Sequence, residues 1–171
     1  MLLSVCIVNL NAKKYLSKCL NSIPEALATQ KYEIIIVDNN SSDDSSSFVK
    51  SLRNKKIILI QNNYNSGYTI AINQALEKSK GENILILNPD SVLEQKSLDI
   101  LLKFLKKNKR VGIVGPKVIN ELGLFQASCK RGLATPLAVF SYFLGFAKIF
   151  KGNRLFTGYQ LNHLDENIIN E

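Results

Sequence analysis

Asp38 and Asp90 each close an apolar run and open a polar, turn-forming stretch, Val37-Asp38-Asn39-Asn40-Ser41-Ser42-Asp43 in one case and Leu87-Asn88-Pro89-Asp90-Ser91 in the other. A third such end, Val8-Asn9-Leu10-Asn11, follows the first apolar run of the chain. A carboxylate with open positions around it suits a hard divalent cation, Mg2+ or Mn2+, that also binds a diphosphate. Asp38 could instead accept from ribose hydroxyls or from a base N–H. The structural alternative is that each aspartate caps the turn that follows it, the second one after Pro89. Several polar ends at one edge of a fold favour a binding site over separate caps.

Chemistry at these positions needs elements that bring them together. Strand-length runs rich in Val, Ile and Leu are predicted at Leu3–Val8, Glu33–Val37, Lys56–Ile60, Asn83–Leu87 and Val111–Val114. Nearly continuous apolar runs are expected where helices cover both faces of a sheet. Helical periodicity separates them at Ala12–Ser22, Ser45–Leu52, Thr69–Ser79 and Gln95–Lys107. Asn11 and Ser41/Ser42 read as helix start signals and Gly81 as a stop. The alternation implies an α/β fold, a mainly parallel, doubly wound sheet between helices. Such sheets bind ligands at the carboxyl ends of their strands, where the polar ends named above would gather.

Two common nucleotide cradles are absent. A dinucleotide fold wants GxGxxG after the first strand, where this chain has Asn-Leu-Asn-Ala-Lys-Lys-Tyr, and no GxxxxGK[ST] phosphate loop occurs. The glycine- and arginine-rich loop of a sugar-1-phosphate nucleotidyltransferase is missing too. A phosphate here is expected to be held largely by a metal.

The motifs run in a recognisable order: V-N-x-N at Val8–Asn11, V-D-N-x-S-x-D at Val37–Asp43 and N-x-G-Y at Asn65–Tyr68. They continue with L-N-P-D at Leu87–Asp90, G-I-V-G-P-K at Gly112–Lys117 and Q-x-S-C-K-R at Gln126–Arg131. In this order and spacing the chain resembles family 2 glycosyltransferases, especially the bacterial rhamnosyltransferase-like branch. The resemblance implies a GT-A fold, a Rossmann-like three-layer α/β/α sandwich whose C-terminal part is expected to be missing here. A nucleotide-sugar-binding domain would span residues 1–132. Residues 133–171 would form an apolar and basic helical extension with a polar tail, leading into an absent acceptor half.

Carried over by position, Asn9 and Asn11 would line the nucleotide pocket and Asp38 would contact base or ribose. Asn65 and Gly67 would border the same pocket, the glycine allowing close backbone approach, and Asn73 would support it from the following helix. Asp90 would bind the metal, Mg2+ or Mn2+, with Asn88 replacing the first acid of the family's DxD motif. Thr69-Ile70-Ala71 departs from relatives, which often carry small or basic residues there. The implied reaction transfers sugar, with inversion, from a nucleoside diphosphate sugar to a glycan or lipid-linked acceptor of the cell envelope. The closest-looking branch suggests a dTDP-linked deoxyhexose such as rhamnose as donor. The metal would neutralise charge on the departing diphosphate, and a general base would take the acceptor proton. That base is expected beyond Glu171, which leaves the chain inactive alone; Asp165, Glu166 and Glu171 read as a solvated tail. The alternative is a non-catalytic sugar-nucleotide-binding or interaction module.

Charge is uneven along the chain. Residues 1–100 hold 11 Lys/Arg against 10 Asp/Glu, and residues 101–171 hold 11 against 4. The basic excess suggests an anionic partner, but no nucleic-acid-binding motif accompanies it. Leu133–Phe150 is 18 residues long with one charge, Lys148, and five aromatics. That is short of the roughly 20 apolar residues of a bilayer span. Lys130, Arg131, Lys151 and Arg154 flank it, a pattern that fits peripheral contact of residues 133–154 with anionic lipid, or packing within the protein. Three separated cysteines and one histidine argue against a disulfide framework or zinc site. No signal peptide is recognised at the N-terminus, so the expected location is the cytoplasm, with a peripheral position at the inner face of the membrane as the alternative.

Overall fold

The computed structural model describes residues 2–27, 31–126, 129, 132–150, 153, 156, 159 and 161. In chain order they form β1 (Leu2–Asn9), α1 (Lys13–Ala26), β2 (Lys31–Asp38), α2 (Ser45–Ser51), β3 (Ile57–Gln61), α3 (Tyr68–Lys78), β4 (Asn83–Ile86), α4 (Ser97–Lys107), α5 (Pro136–Phe143) and α6 (Phe146–Ile149). The chain divides into two compact units, Met1–Gly112 and Ile113–Glu171.

In the first unit the four strands form one sheet in the order β3-β2-β1-β4, with every neighbour parallel. The middle strands are apolar on both faces because both faces are covered. Leu3, Val5 and Ile7 of β1 and Ile34 and Ile36 of β2 pack with Leu16, Cys19, Leu20 and Ile23 of α1, Val49 of α2 and Leu98 and Leu102 of α4. On the opposite face Cys6, Ile35 and Val37 meet Ala71, Ile72 and Ala75 of α3. These are the three layers expected of the fold. Ile84 and Ile86 on β4, the edge strand beside β1, are half-exposed.

Several local expectations are corrected. Val111–Val114 forms no strand, and Ile113 is 93% exposed. A strand exists only as a member of a ladder, and an apolar run does not by itself supply a partner. Asn11 does not cap α1: its backbone is left-handed (φ 52°), and its side chain turns away to the β2 loop. Asp44, not Ser41 or Ser42, precedes α2. Gly81 does not end α3, which stops at Lys78. The glycine is there because a Cβ would lie 2.5 Å from the backbone nitrogen of Ser4.

In the second unit the Leu133–Phe150 run is not one helix. Thr135 caps α5 by accepting from the N–H of Ala138 (3.3 Å), and Pro136 occupies its first turn. Gly145, left-handed at φ 78°, then separates α5 from α6. No described helix is long and apolar enough to cross a membrane. Lys130, Arg131, Lys151, Arg154 and the tail acids Asp165, Glu166 and Glu171 lie outside the described residues.

Candidate functional site

The parallel register aligns Asn9 with Asp38 and Asp38 with Gln61, so the polar ends of three strands stand side by side. Asn9 is fully buried and Asp38 is 3% exposed. A buried carboxylate must have hydrogen-bond partners, and Asp38 has four. Its Oδ1 accepts from Asn9 Nδ2 (2.9 Å) and from the Ser41 hydroxyl. Its Oδ2 accepts from the Ser46 hydroxyl and from the Ser41 N–H (3.4 Å). The same Asn9 nitrogen also donates to Ser41 Oγ (3.0 Å), while Asn9 Oδ1 is buried without a partner. Asn11 continues the seam. Its N–H donates to Ser41 Oγ (2.9 Å), and its Oδ1 accepts from the Ser42 N–H (2.8 Å). One turn further, Asp43 accepts from the N–H of Lys13 (2.8 Å) and from Ser45. Partial burial pushes the Asp43 carboxyl up, but the bonds from Ser45 and Lys13 outweigh it and hold the group below its ordinary range.

Asn39, which sequence reasoning passed over, ties in the next loop. It is 2% exposed. Its Oδ1 accepts from Asn62 Nδ2 and from the N–H and hydroxyl of Ser66, each at 3.0 Å. Its Nδ2 donates to Asn65 Oδ1 (2.7 Å), which also accepts the Gly67 N–H (3.0 Å). Gly67 adopts φ 81° and ψ 161°, a region that side chains rarely reach, and nothing lies within 4 Å of where its Cβ would be. Backbone conformation therefore demands this glycine, and the space beside it is open. The α3 residue that braces the loop is Gln74, paired with Asn62 at 2.9 and 3.1 Å; Asn73 is exposed. The signal for Asn39 lay in its place beside Asp38 at a strand end.

The third part follows β4. Leu87 N–H donates to the Cys6 carbonyl (3.0 Å), which carries the ladder to the start of the Asn88–Asp90 turn. Asn88 and Asp90 are exposed. The Asn88 carbonyl accepts from the Ser91 N–H (3.2 Å) and from the Cys19 thiol (3.6 Å). Burial, and then the nearby Asp90 charge, push the Cys19 thiol up to about 12, so it stays a neutral donor.

Since β1 lies between β2 and β4, these two strands are two spacings apart, roughly 10 Å, with Asp38 at the end of one and Asp90 four residues beyond the end of the other. The chain reverses its direction of strand addition between β1 and β4, and that crevice is where doubly wound sheets take ligands. Among the described residues no three His, Cys, Asp or Glu side chains converge on a metal. Asp90 alone fits an ion that draws its other oxygens from a diphosphate and water, as Mg2+ does; it does not fit a closed protein cage.

Comparison with known proteins gives the family. The model of the family described as Glycosyl transferase family 2 matches residues 4–158. Poly(ribitol-phosphate) beta-glucosyltransferase of Bacillus spizizenii is 30% identical over 165 residues, which cover 91% of this chain and 26% of that protein. The crystal structure of S. aureus TarS 1–349 in complex with UDP-GlcNAc matches with a TM-score of 0.59 and 26% identity, over 70% of this chain and 37% of that one. A mannosyltransferase from Pyrobaculum calidifontis, in complex with GDP-Man and Mn2+, shares the fold (TM-score 0.56, 24% identity, 60% and 32% covered). The chain thus spans about a quarter of that curated relative's length. With the family model matched over most of its length and a parallel sheet whose neighbours are GT-A enzymes, the chain belongs to glycosyl transferase family 2.

Proposed function

We propose that this chain binds the nucleoside diphosphate part of a sugar donor along the carboxyl edge of β3, β2, β1 and β4. The nucleoside end would lie over Asn9, Asn11, Asp38 and the Asn65–Gly67 loop, and the diphosphate at the β1–β4 crevice beside Asn88 and Asp90. The carrying observation is that the polar ends of four strands meet at one edge that includes the switch in strand order. Asp38 would act by fixing Asn9 and the Ser41–Ser46 turn, since its oxygens are already engaged by the chain. Mg2+ or Mn2+ would be held by Asp90 together with the diphosphate, and would offset the charge that builds on the leaving group. Inverting transfer to a cell-envelope polysaccharide or lipid-linked acceptor would need a general base, which we place outside the described residues.

The UDP-GlcNAc complex of TarS favours a uridine donor; a dTDP-linked deoxyhexose such as rhamnose is the competing choice. Calorimetric titration with UDP, dTDP and GDP, each with and without Mn2+, separates them. Tight binding of one pyrimidine diphosphate, strengthened by Mn2+ and losing that gain in Asp90→Ala, is the expected result. No nucleotide binding under any condition overturns the reading and leaves an interaction module.

A second reading concerns α5 and α6. Leu137, Phe140, Phe143, Phe146 and Ile149 are exposed there, and the sequence from Leu122 to Leu164 contains no acidic residue. We infer peripheral contact with anionic lipid through this elbow. Co-sedimentation with phosphatidylglycerol vesicles should fall in Phe143→Glu and Phe146→Glu; equal binding by wild type and both variants overturns it.

A further inference from the structure

The ten residues from Leu87 to Lys96 that carry Asp90 contain no helix or strand, so something else must hold them. Three contacts to α1 do. The Cys19 thiol donates to the Asn88 carbonyl (3.6 Å). Ser22 Oγ accepts the Leu93 N–H (3.0 Å) while its own proton goes to the Cys19 carbonyl (2.7 Å). The Glu25 carbonyl, near the end of α1 where carbonyls lack helical partners, accepts the Lys96 N–H (3.1 Å). Positions 19, 22 and 25 recur every three residues and so share one helix face. Cys19 is fully buried and Ser22 is 6% exposed, which keeps competing water away from these bonds. The same helix starts just after Asn11 and is tied to the β2 loop by the Lys13 N–H to Asp43 bond (2.8 Å).

We propose that Ser22, assisted by Cys19, is a positioning residue for Asp90. One face of α1 works as a rail that fixes the post-β4 loop relative to the Asn9–Asn11 loop, and so fixes the distance between the cation and the nucleoside end of the donor. The inference rests on the reading of Asp90 given above and adds a residue to it. Ser22 touches neither donor nor metal; its effect runs through the backbone of Leu93 and the loop before it.

The test compares wild type with Ser22→Ala, and with Cys19→Val, which keeps the volume and loses the donor. Hydrogen exchange reads the loop directly: Ser22→Ala is expected to speed the Leu93 amide at least tenfold and leave the β1 and β2 amides unchanged. The second readout is the ratio of affinities for UDP, or for dTDP where that binds tighter, with and without Mn2+. A merely structural defect lowers both affinities together. A positioning defect lowers the Mn2+ ratio, by about fivefold in Ser22→Ala and less in Cys19→Val, and leaves metal-free binding in place. An unchanged Mn2+ ratio in both variants overturns this inference alone. Absence of any Mn2+ effect in the wild type overturns the role of Asp90 and this inference with it.

Discussion

Asp38 and Asp90 occupy opposite circumstances. Asp38 is 3% exposed and accepts from Asn9, Ser41 and Ser46. Asp90 is exposed, and no described residue donates a hydrogen bond to its carboxylate. Around Asp38 and Asn39 side chains lock three loops to one another; around Asp90 the loop is held by its backbone and the acid itself is left available. The contrast assigns different work to two chemically identical groups. A carboxylate saturated by the chain organises, whereas one with open oxygens can take a cation. On the proposed function, the nucleoside side would be built in advance and the metal side would be completed by what binds there.

Substitutions can break this contrast. Asp38→Ala strands the buried donor of Asn9 and the part-buried donors of Ser41 and Ser46, and should cost about 3 kcal/mol of stability. Asp90→Ala should shift stability by under about 0.5 kcal/mol, as surface changes do. Urea denaturation of the pair checks both, and equal losses would erase the distinction. Asn39→Ala removes the acceptor for Asn62 and Ser66, for about 2 kcal/mol, and should make the amides of residues 62–67 exchange faster while those after β4 stay unchanged. Gly67→Ala forces a side chain into a positive-φ conformation, for about 1–2 kcal/mol, read as a lowered Tm with the open space beside the residue filled. The smallest effect is expected from pH. The Asp43 carboxyl is held lower in the folded chain than in the unfolded one, so the unfolded state binds more protons as the solution is acidified. Its contribution is complete above the ordinary carboxylate range near about 4 and is lost as pH falls through the folded value. Asp43→Asn should flatten that acid limb in a series of urea titrations at falling pH.

Much of this was legible in the residues. The runs at Leu3–Val8, Glu33–Val37 and Asn83–Leu87 lie within a residue or two of β1, β2 and β4, because apolar periodicity records burial. The six ordered motifs identified the family. Local pattern failed where the answer depended on a distant neighbour. Val111–Val114 has the composition of a strand but lacks a ladder. Asn11 has the chemistry of a helix cap, yet the Ser42 N–H 31 positions away in sequence claims its side chain. Gln74, not Asn73, faces the Asn62 loop, a difference of one residue around a helix.

The sequence alone determined the alternation of strands and helices from β1 to α4, the polar character of the strand ends and the family. These follow from side-chain chemistry and period, which are properties of short segments. Tertiary structure alone decided that β1 lies between the strand that ends in Asp38 and the strand that leads to Asp90, and that the first acid is consumed by its neighbours while the second is exposed. Those facts depend on which strands lie side by side and on which donors reach a given oxygen. Neither is encoded within any single segment.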